Sequence, residues 1–411
     1  ISLLGQQGPM PLRMPGNENA DQYSIVLDIT KGEQTFVFEQ VSEAPVPSLF
    51  RDFSAPVKYT YHYSFNDLLR LLQKEPSGYC RWEASQLVWL AVIKQTLQNK
   101  TVGDDIEIPA AVITYYQDLL TQTQIDPELD QALIAQQLTL PSVAYLIAMD
   151  ELTGSIDIPA ICRARQAVKQ SLALRLKATF EIIYGVMLTK PPEPVSITAI
   201  AMAQRALRNI VLGYLVESEE IVWLEHCYQQ LQTANNMTDT IAALTCLVNS
   251  PAGYAVSLKQ QALDAFYDRW QHQPFVLDHW LAVQARCPLP DTLSTVKTLL
   301  EHPAFDITSP SRVNALIGNF CNQNAENFHH DAGSGYQFLI DQIIVLNDIN
   351  PQVASRTLSR SPLINWRRYD DHRQNLMKMQ LQRLQSLPKL SNEVFEVLDK
   401  CLMATKTRKT G

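Results

Sequence analysis

The sequence predicts a mainly α-helical protein, an α-superhelical stack of antiparallel helix pairs of the HEAT or armadillo kind, preceded by a short β segment. From about residue 64, apolar residues recur every three or four positions, as on one face of a helix. Helix-start signals and Pro or Gly breakers alternate along this region, and the short connectors between them favour antiparallel neighbours. Residues 1–57 instead carry alternating apolar runs between glycines and prolines, which is typical of strands and turns.

Composition limits the classes of partner. The chain has 411 residues, more than the roughly 250–300 at which a single core stops growing, so we expect two domains or an elongated array. We place the boundary between residues 57 and 58. The formal net charge of −8 argues against nucleic-acid binding, which needs a basic surface. A small basic cluster at the C-terminal end (Lys406, Arg408, Lys409) is typical of a solvated tail. No apolar run reaches the about 18 residues that would span a membrane.

The β segment is predicted to contain a hairpin. Its strands are Tyr23–Ile29 and Thr35–Val41, and Lys31-Gly32-Glu33 suits the turn between them. An extended connector follows, marked by three prolines: Pro45, Pro47 and Pro56. Because an isolated hairpin is marginal in water, we expect these strands to join a larger sheet or to pack on the helical body.

The helices are predicted from caps and apolar stripes. Start signals precede five of them: Ser64, Asp157, Ser196, Asp291 and Ser309. The clearest helix covers 158–187, with a stripe of apolar residues three or four apart, and ends at Pro191–Pro194. Further helices are predicted at 199–215, 238–248, 258–270, 276–285, 293–300, 313–320, 336–346, 351–359, 369–387 and 393–404. No strict period is visible, so a conventional multi-helix globule is the alternative to a repeat array.

Short catalytic and metal motifs are absent from the sequence. Zinc peptidases need two histidines one helical turn apart, and no two of the eight histidines are three or four residues apart. His329-His330 lies in a loop without a supporting carboxylate pattern. Gly333-Ser334-Gly335 lacks the residues that follow in a phosphate loop, so we interpret it as the first turn of a helix. The seven cysteines are scattered and are expected to be buried, reduced thiols. We therefore assign no catalytic, cofactor-binding or metal residue.

Longer stretches of the sequence are more informative than the short motifs. They are Glu33–Phe38, Pro45–Pro47, Phe53–Val57, Leu140–Val143, Ala234–Asp239, Gly333–Tyr336 and Asn350–Arg356. These stretches resemble the C-terminal portion of the bacterial aminopeptidase N family, zinc metallo-aminopeptidases of the alanyl aminopeptidase type, and they occur in the family's order over nearly the whole chain.

The resemblance implies a domain plan and a function. Residues 1–57 would be a partial β-sandwich domain with its Pro-rich connector, and 58–411 the helical C-terminal domain. The zinc motif, the substrate loop and the catalytic tyrosine of the family have no counterpart here, so zinc is expected in the parent enzyme and no cofactor in this part. The missing catalytic domain would be the partner of this chain, and peptides the substrates.

One site residue can be carried over from the family. Arg356 ends the Asn-Pro-Gln-Val-Ala-Ser-Arg stretch, whose arginine faces the catalytic cavity in that family. Its guanidinium would meet a peptide carbonyl or a C-terminal carboxylate. The alternative is an arginine that pairs with a neighbouring helix.

The resemblance therefore predicts a cytoplasmic segment that walls the catalytic chamber, controls substrate access and is inactive alone. An apolar surface near residues 1–60 should then be exposed where other domains dock. The competing hypothesis is a free-standing helical scaffold that binds peptides or proteins on a concave face.

Overall fold

The computed structural model describes residues 1–16, 22–99, 106–149, 156–188, 195–253 and 255–403. The predicted helix stop at residues 191–194 and the basic tail at residues 406–409 lie outside these ranges. Within them the mainly helical class with a short N-terminal β segment is confirmed.

The helices follow the predicted order closely. Their bounds are α1 Phe65–Lys74, α2 Gly78–Asn99, α3 Ala110–Gln122, α4 Gln131–Leu138, α5 Val143–Ala148, α6 Ile158–Leu188, α7 Ala199–Leu215, α8 Ile221–Thr233, α9 Met237–Asn249, α10 Ala255–Trp270, α11 Pro274–Ala285, α12 Thr292–Leu300, α13 Pro310–Val313, α14 Asn319–Gln323, α15 Ala325–Phe328, α16 Ser334–Ile349, α17 Pro351–Arg360, α18 Asp371–Gln385 and α19 Asn392–Met403. A π-helical turn, Asn314–Gly318, connects α13 to α14, and a 3-10 segment, Pro362–Arg368, follows α17.

The sheet is smaller than predicted and uses other residues. Three antiparallel strands, β1 Ser2–Gly5, β2 Gly8–Pro9 and β3 Val46–Ser48, lie in the order β2-β1-β3. Leu3 of β1 pairs with Pro47, so part of the predicted connector is a strand. Proline has no N–H to donate to a neighbouring strand, but β3 lies at the edge of the sheet, where a strand tolerates that loss.

The predicted hairpin of Tyr23–Ile29 with Thr35–Val41 is wrong. Each run makes its backbone bonds to the N-terminal segment and not to the other run. The Ile25 amide donates to the Ile1 carbonyl over 3.0 Å, and the Glu39 amide donates to the Arg13 carbonyl over 2.8 Å. Alternation therefore did not identify the backbone partners of these runs.

The chain divides into two compact units. One contains residues 1–141 and 167–214, and the other contains 142–166 and 215 onward, so α6 contributes to both. The domain boundary between residues 57 and 58 was predicted from a change in sequence pattern, whereas these two units are defined by compactness. That boundary therefore stays a prediction.

The first unit is organised by side chains that bond the end of α4. The Trp89 indole N–H and the Tyr116 hydroxyl both donate to the carbonyl of Gln137, over 2.8 and 3.0 Å. The Tyr214 hydroxyl donates to the next carbonyl, that of Leu138, over 2.5 Å. The last carbonyls of a helix have no partner within it, and here three buried aromatic residues supply those partners.

The same unit contains a buried ion pair. Arg51 donates to Oε1 of Glu75 from Nε and Nη2, over 3.0 and 2.9 Å, and the Glu75 side chain is fully buried. The Ser77 amide donates to the same carboxylate oxygen over 2.7 Å. These bonds fix the segment before α1 to the connection between α1 and α2.

Helices of the second unit pack mainly on their neighbours in sequence. α8 packs on α9, α9 on α10, α10 on α11 and α11 on α12. Nearer the C-terminus, α16 contacts both α17 and α18, and α19 packs on α17. Asn350 caps α17, where Pro351 occupies the first turn, and Asp370 caps α18.

A close backbone approach fixes the start of α16. Gly333 has a positive φ of 68° at the N-cap, and α16 begins at Ser334, as the Gly-Ser-Gly interpretation predicts. A Cβ on Gly335 would lie 2.2 Å from the carbonyl oxygen of Phe328. Only glycine lets α16 approach the chain before it this closely.

We expect Gly335→Ala to lower the free energy of unfolding by about 1–3 kcal/mol, because backbone must move to admit the methyl group. Gly213→Ala is the matched control, since Gly213 lies inside α7 and its Cβ would meet nothing within 4 Å. There a gain of up to about 1 kcal/mol is expected from helix propensity. Urea unfolding measures both, and equal effects would contradict the close approach.

Candidate functional site

Arg356, the carried-over site residue, lies on α17 with its side chain exposed. Within the described ranges its guanidinium forms no ion pair or hydrogen bond, whereas other arginines of the second unit, such as Arg373 and Arg383, are ion-paired. The neighbouring-helix pair considered as the alternative is therefore not formed among these residues. The proposed contact with a substrate stays a prediction.

A cavity opens close to this residue in sequence. It has a volume of about 760 Å³ and lies entirely within the second unit. Arg360, one turn after Arg356 on the same face of α17, lines it. The other walls come from α5, α6, the π turn with α14, and the 3-10 segment after α17. We call this space the α17 cavity.

Three arginines line the α17 cavity. They are Arg165 of α6, Arg360 and Arg368, and the lining contains no Asp or Glu among the residues that the structure describes. Asp370, which follows the lining residue Tyr369, is ion-paired with Arg373. Arg368 also donates to the carbonyl of Ile147 over 3.2 Å, which ties the 3-10 segment to α5.

The π turn shapes one wall. A π turn is wider than an α turn and changes the hydrogen bonding of the helix carbonyls. The Asn319 side-chain amide donates to the carbonyls of Asn314 and Ala315, each over 3.0 Å. Gly318 lines the cavity at this point, where a Cβ would lie 2.8 Å from Oδ1 of Asn314. Such π turns occur frequently at functional sites.

A buried polar network supports the floor of the cavity. Nδ1 of His329 lies 2.9 Å from the Tyr336 hydroxyl, and His329 is 3% exposed. Arg373 of α18 donates to the His329 carbonyl over 3.2 and 3.3 Å and to the carboxylates of Asp370 and Asp331 over 2.8 and 2.5 Å. His329 and the adjacent Tyr369 both line the cavity.

Burial controls the protonation of this network. Desolvation, with the nearby Arg373 charge, lowers the pKa of His329 to about 3, so its imidazole is neutral at physiological pH. Burial raises the pKa of Tyr369 to about 12. The tyrosines therefore stay protonated, and Tyr336 can donate its hydrogen bond to the neutral imidazole.

The other candidates from the sequence acquire structural roles. His330 is exposed and its Nδ1 accepts from the Ala332 amide. All seven cysteines are free thiols, six buried and Cys246 half-buried. Among the described residues, no group of three or more His, Cys, Asp and Glu side chains could hold a metal ion. No helix in those ranges has the length and apolarity needed to cross a bilayer.

Apolar side chains are exposed in the first 61 residues, as expected for a docking region. Their exposed fractions are Tyr23 47%, Val26 80%, Ile29 70%, Val37 54%, Phe53 56%, Val57 52% and Tyr61 46%. Val26 and Ile29 belong to the run that bonds the N-terminal residue Ile1 through Ile25.

The sequence did not identify the cavity arginines. Arg165, Arg360 and Arg368 lie on three separate elements, so no local spacing connects them. Arg356 and Arg360 do share a helical spacing of four, and that was the available signal. The charge pattern is visible only after folding.

Comparison with known proteins identifies two matching family models. Residues 65–403 match the family described as "Domain of unknown function (DUF3458_C) ARM repeats", and residues 2–62 match "Domain of unknown function (DUF3458) Ig-like fold". The armadillo description agrees with the predicted fold class.

The relatives have known names. Aminopeptidase N of Escherichia coli is 36% identical over 402 residues, which cover 98% of this chain and 44% of that protein. Aminopeptidase N of Haemophilus influenzae is 34% identical, covering 93% and 42%. A crystal structure of Legionella pneumophila aminopeptidase A in complex with aspartic acid aligns with a TM-score of 0.80 and 29% identity, over 98% of this chain and 44% of that one. The chain thus spans less than half the length of these relatives.

Because burial, with a smaller contribution from the Arg373 charge, lowers the pKa of His329, we expect stability to fall as the solution is acidified. The unfolded chain binds a proton at His329 near pH 6.5, whereas the folded chain does not until about pH 3. Between pH 7 and pH 5 this difference costs about 2 kcal/mol. His329→Asn should remove that part of the pH dependence in urea unfolding. His272→Asn, at an exposed histidine, should leave it unchanged; equal slopes for wild type and His329→Asn would refute the assignment.

Proposed function

This chain belongs to the DUF3458_C family of ARM repeats and is homologous to bacterial aminopeptidase N, and from this premise we propose that it is the chamber wall of a zinc aminopeptidase. The parent enzyme would remove N-terminal residues from peptides. This part would control which substrates reach the catalytic site. The observation that carries the proposal is similarity to Aminopeptidase N over 98% of the chain.

In this proposal the catalytic chemistry belongs to a part of the parent enzyme outside this sequence. Zinc would supply an activated water for attack on the first peptide bond. The residues described here do not fit a zinc site, because they contain no suitable group of ligands. The chain instead contributes helices packed on their sequence neighbours, a construction that forms extended binding surfaces.

Arg356 is the residue proposed to meet substrate in the chamber. Its side chain is exposed on α17 and, among the described residues, has no carboxylate partner, so no internal ion pair must break before it binds. A guanidinium presents N–H groups in a fork that suits a carbonyl or a C-terminal carboxylate. Arg356 would thus position peptides without taking part in bond cleavage.

The catalytic domain is the proposed partner of the exposed apolar residues near the N-terminus. Val26 and Ile29 are 80% and 70% exposed, which is costly for side chains of this kind unless a partner covers them. We also propose a cytoplasmic location and peptide substrates, with neither nucleic acid nor membrane as partner. The net charge of −8 supports the exclusion of nucleic acid.

We expect the isolated chain to be inactive on an aminoacyl chromogenic substrate, with or without added zinc, because the sequence contains no His-Glu-x-x-His motif. The assay should follow repurification and include a chelator control. Turnover that persists on repurification and is lost on chelation would contradict the proposal. If the gene's reading frame contains no His-Glu-x-x-His motif upstream of this sequence, the hypothesis of a free-standing helical scaffold would replace the peptidase proposal.

In the parent enzyme we expect Arg356→Ala to raise KM for peptides by about tenfold or more and to leave kcat nearly unchanged, since a charge-assisted hydrogen bond contributes about 1.5–3 kcal/mol. Arg356→Lys should recover part of the loss, because it keeps the charge without the fork. Arg269→Ala, at another exposed arginine of the second unit, is the control. Unchanged peptide KM in Arg356→Ala would remove this residue from the proposal.

A further inference from the structure

We propose that Cys227 and Cys246 form a redox pair, which a hydroperoxide oxidises to a disulfide and a small dithiol reduces again. The two residues belong to α8 and α9, which are consecutive helices of the second unit. Both are thiols in this structure and not part of a disulfide. The proposal uses no residue of a catalytic domain, so it does not rest on the proposed peptidase function.

The α8–α9 hairpin brings the two cysteines to similar levels. Only residues 234–236 connect the helices, which are therefore antiparallel neighbours and pack directly on each other. Cys227 lies six residues before the end of α8, and Cys246 lies nine residues after the start of α9. At the rise of an α-helix, their levels along the hairpin differ by about 4.5 Å, which is less than one turn.

The direction of helical side chains closes much of this difference. A side chain on a helix leans towards the N-terminus of that helix. The Cys227 side chain therefore leans away from the connector, towards the level of Cys246. The Cys246 side chain leans towards the connector, and so towards the level of Cys227. The backbone alone thus places the two sulfurs on facing helices at nearly the same height.

A hydrogen bond joins the two side chains. The Cys227 thiol bonds Cys246, and this bond together with burial raises the pKa of Cys227 well above its ordinary value. Cys227 therefore keeps its proton and donates it to the Cys246 sulfur. Sulfur atoms in contact are the starting geometry for a disulfide, because that bond forms only where the two side chains already point at each other.

Unequal burial gives the two sulfurs different roles. Cys246 is half-buried, whereas Cys227 is completely buried. A small oxidant in solution therefore reaches the Cys246 sulfur first. Cys227 lies behind it as the resolving thiol, an arrangement that is typical of cysteines oxidised reversibly.

The oxidation proceeds in two balanced steps. The Cys246 thiolate attacks one oxygen of the hydroperoxide, the O–O bond breaks, and a sulfenic acid forms on Cys246 as the alkoxide or hydroxide leaves. The Cys227 sulfur then attacks the Cys246 sulfur, the S–O bond breaks, and water leaves with the proton of the Cys227 thiol. Two thiols lose two electrons and two protons, and the hydroperoxide is reduced to an alcohol, or water, and one further water. A dithiol reverses the reaction by exchange and is itself oxidised to a disulfide.

The other five cysteines have no second sulfur beside them. All seven cysteines belong to the part of the chain that the structure describes, and there the sulfurs of Cys80, Cys287 and Cys401 bond backbone carbonyls over 3.4–3.5 Å. The structure therefore predicts one preferred disulfide, between Cys227 and Cys246.

The test is oxidation of the reduced chain with a small molar excess of hydrogen peroxide, followed by denaturation and alkylation of the remaining thiols. Trypsin and cyanogen bromide together yield the fragments 209–237 and 238–259, each with one of the two cysteines, because Met237 lies between them. We expect mass spectrometry to find these fragments linked, with the other five cysteines alkylated. Dithiothreitol added before alkylation should restore all seven thiols.

Substitutions assign the bond. Cys246→Ser removes the half-buried sulfur and should abolish the linked fragments after the same peroxide treatment. Cys321→Ala is the matched control, because it removes a buried thiol of α14 and should leave the yield of linked fragments unchanged. Circular dichroism and thermal unfolding confirm that each variant is folded. The mapping of the unsubstituted chain stands without either variant.

Three results would overturn the proposal. They are seven alkylated cysteines after peroxide treatment, another disulfide at equal or higher yield, or a sulfinic acid at Cys246 without linked fragments. Linked fragments that dithiothreitol does not separate would also reject it, because the pair would then not be reversible. Failure of the peptidase proposal would leave all of these measurements unaffected.

Discussion

The structure depends on how each helix satisfies the backbone groups left unpaired at its ends. In an array of short helices with short connectors, these ends are numerous and many are buried, and a buried polar group without a partner is costly. Side chains supply the partners. Ser64 and Asp67 form a reciprocal capping box at the start of α1, and Trp89, Tyr116 and Tyr214 bond the last carbonyls of α4.

The same constraint connects elements distant in sequence. Arg367 donates to the carbonyls of Cys401 and Leu402 at the end of α19, over 2.7 and 2.6 Å, and so attaches the 3-10 segment to the last helix. Arg312 donates to the Pro274 carbonyl and to Asp278, which ties α13 to the first turn of α11. Both arginines thus serve as structural donors. In the described part of the chain, the side chains of Arg356 and Arg360 form no such bond.

Helices could be predicted from the sequence much better than strands or the site. Helix caps and apolar stripes are local, so α6 was predicted at 158–187 and is found at Ile158–Leu188. Strand pairing is not local: the alternation in Tyr23–Ile29 and Thr35–Val41 does not specify that Ile1 and Arg13 are the backbone partners of these runs. Arg165, Arg360 and Arg368 line one cavity although they are distant in sequence, and only the tertiary fold brings them to it. Arg356 came from family resemblance and not from spacing.

The π turn at Asn314–Gly318 has a consequence for how this helical segment can vary. A π turn contains one residue more than an α turn, so every residue after it is rotated by about 100° relative to an uninterrupted helix. Phe320 and Cys321, which follow the turn, are buried in this rotated frame. Removing one residue from the turn would restore a regular helix but turn those side chains out of the core. Insertions and deletions in related chains should therefore avoid this turn, or should be accompanied by substitutions in the helices before and after it.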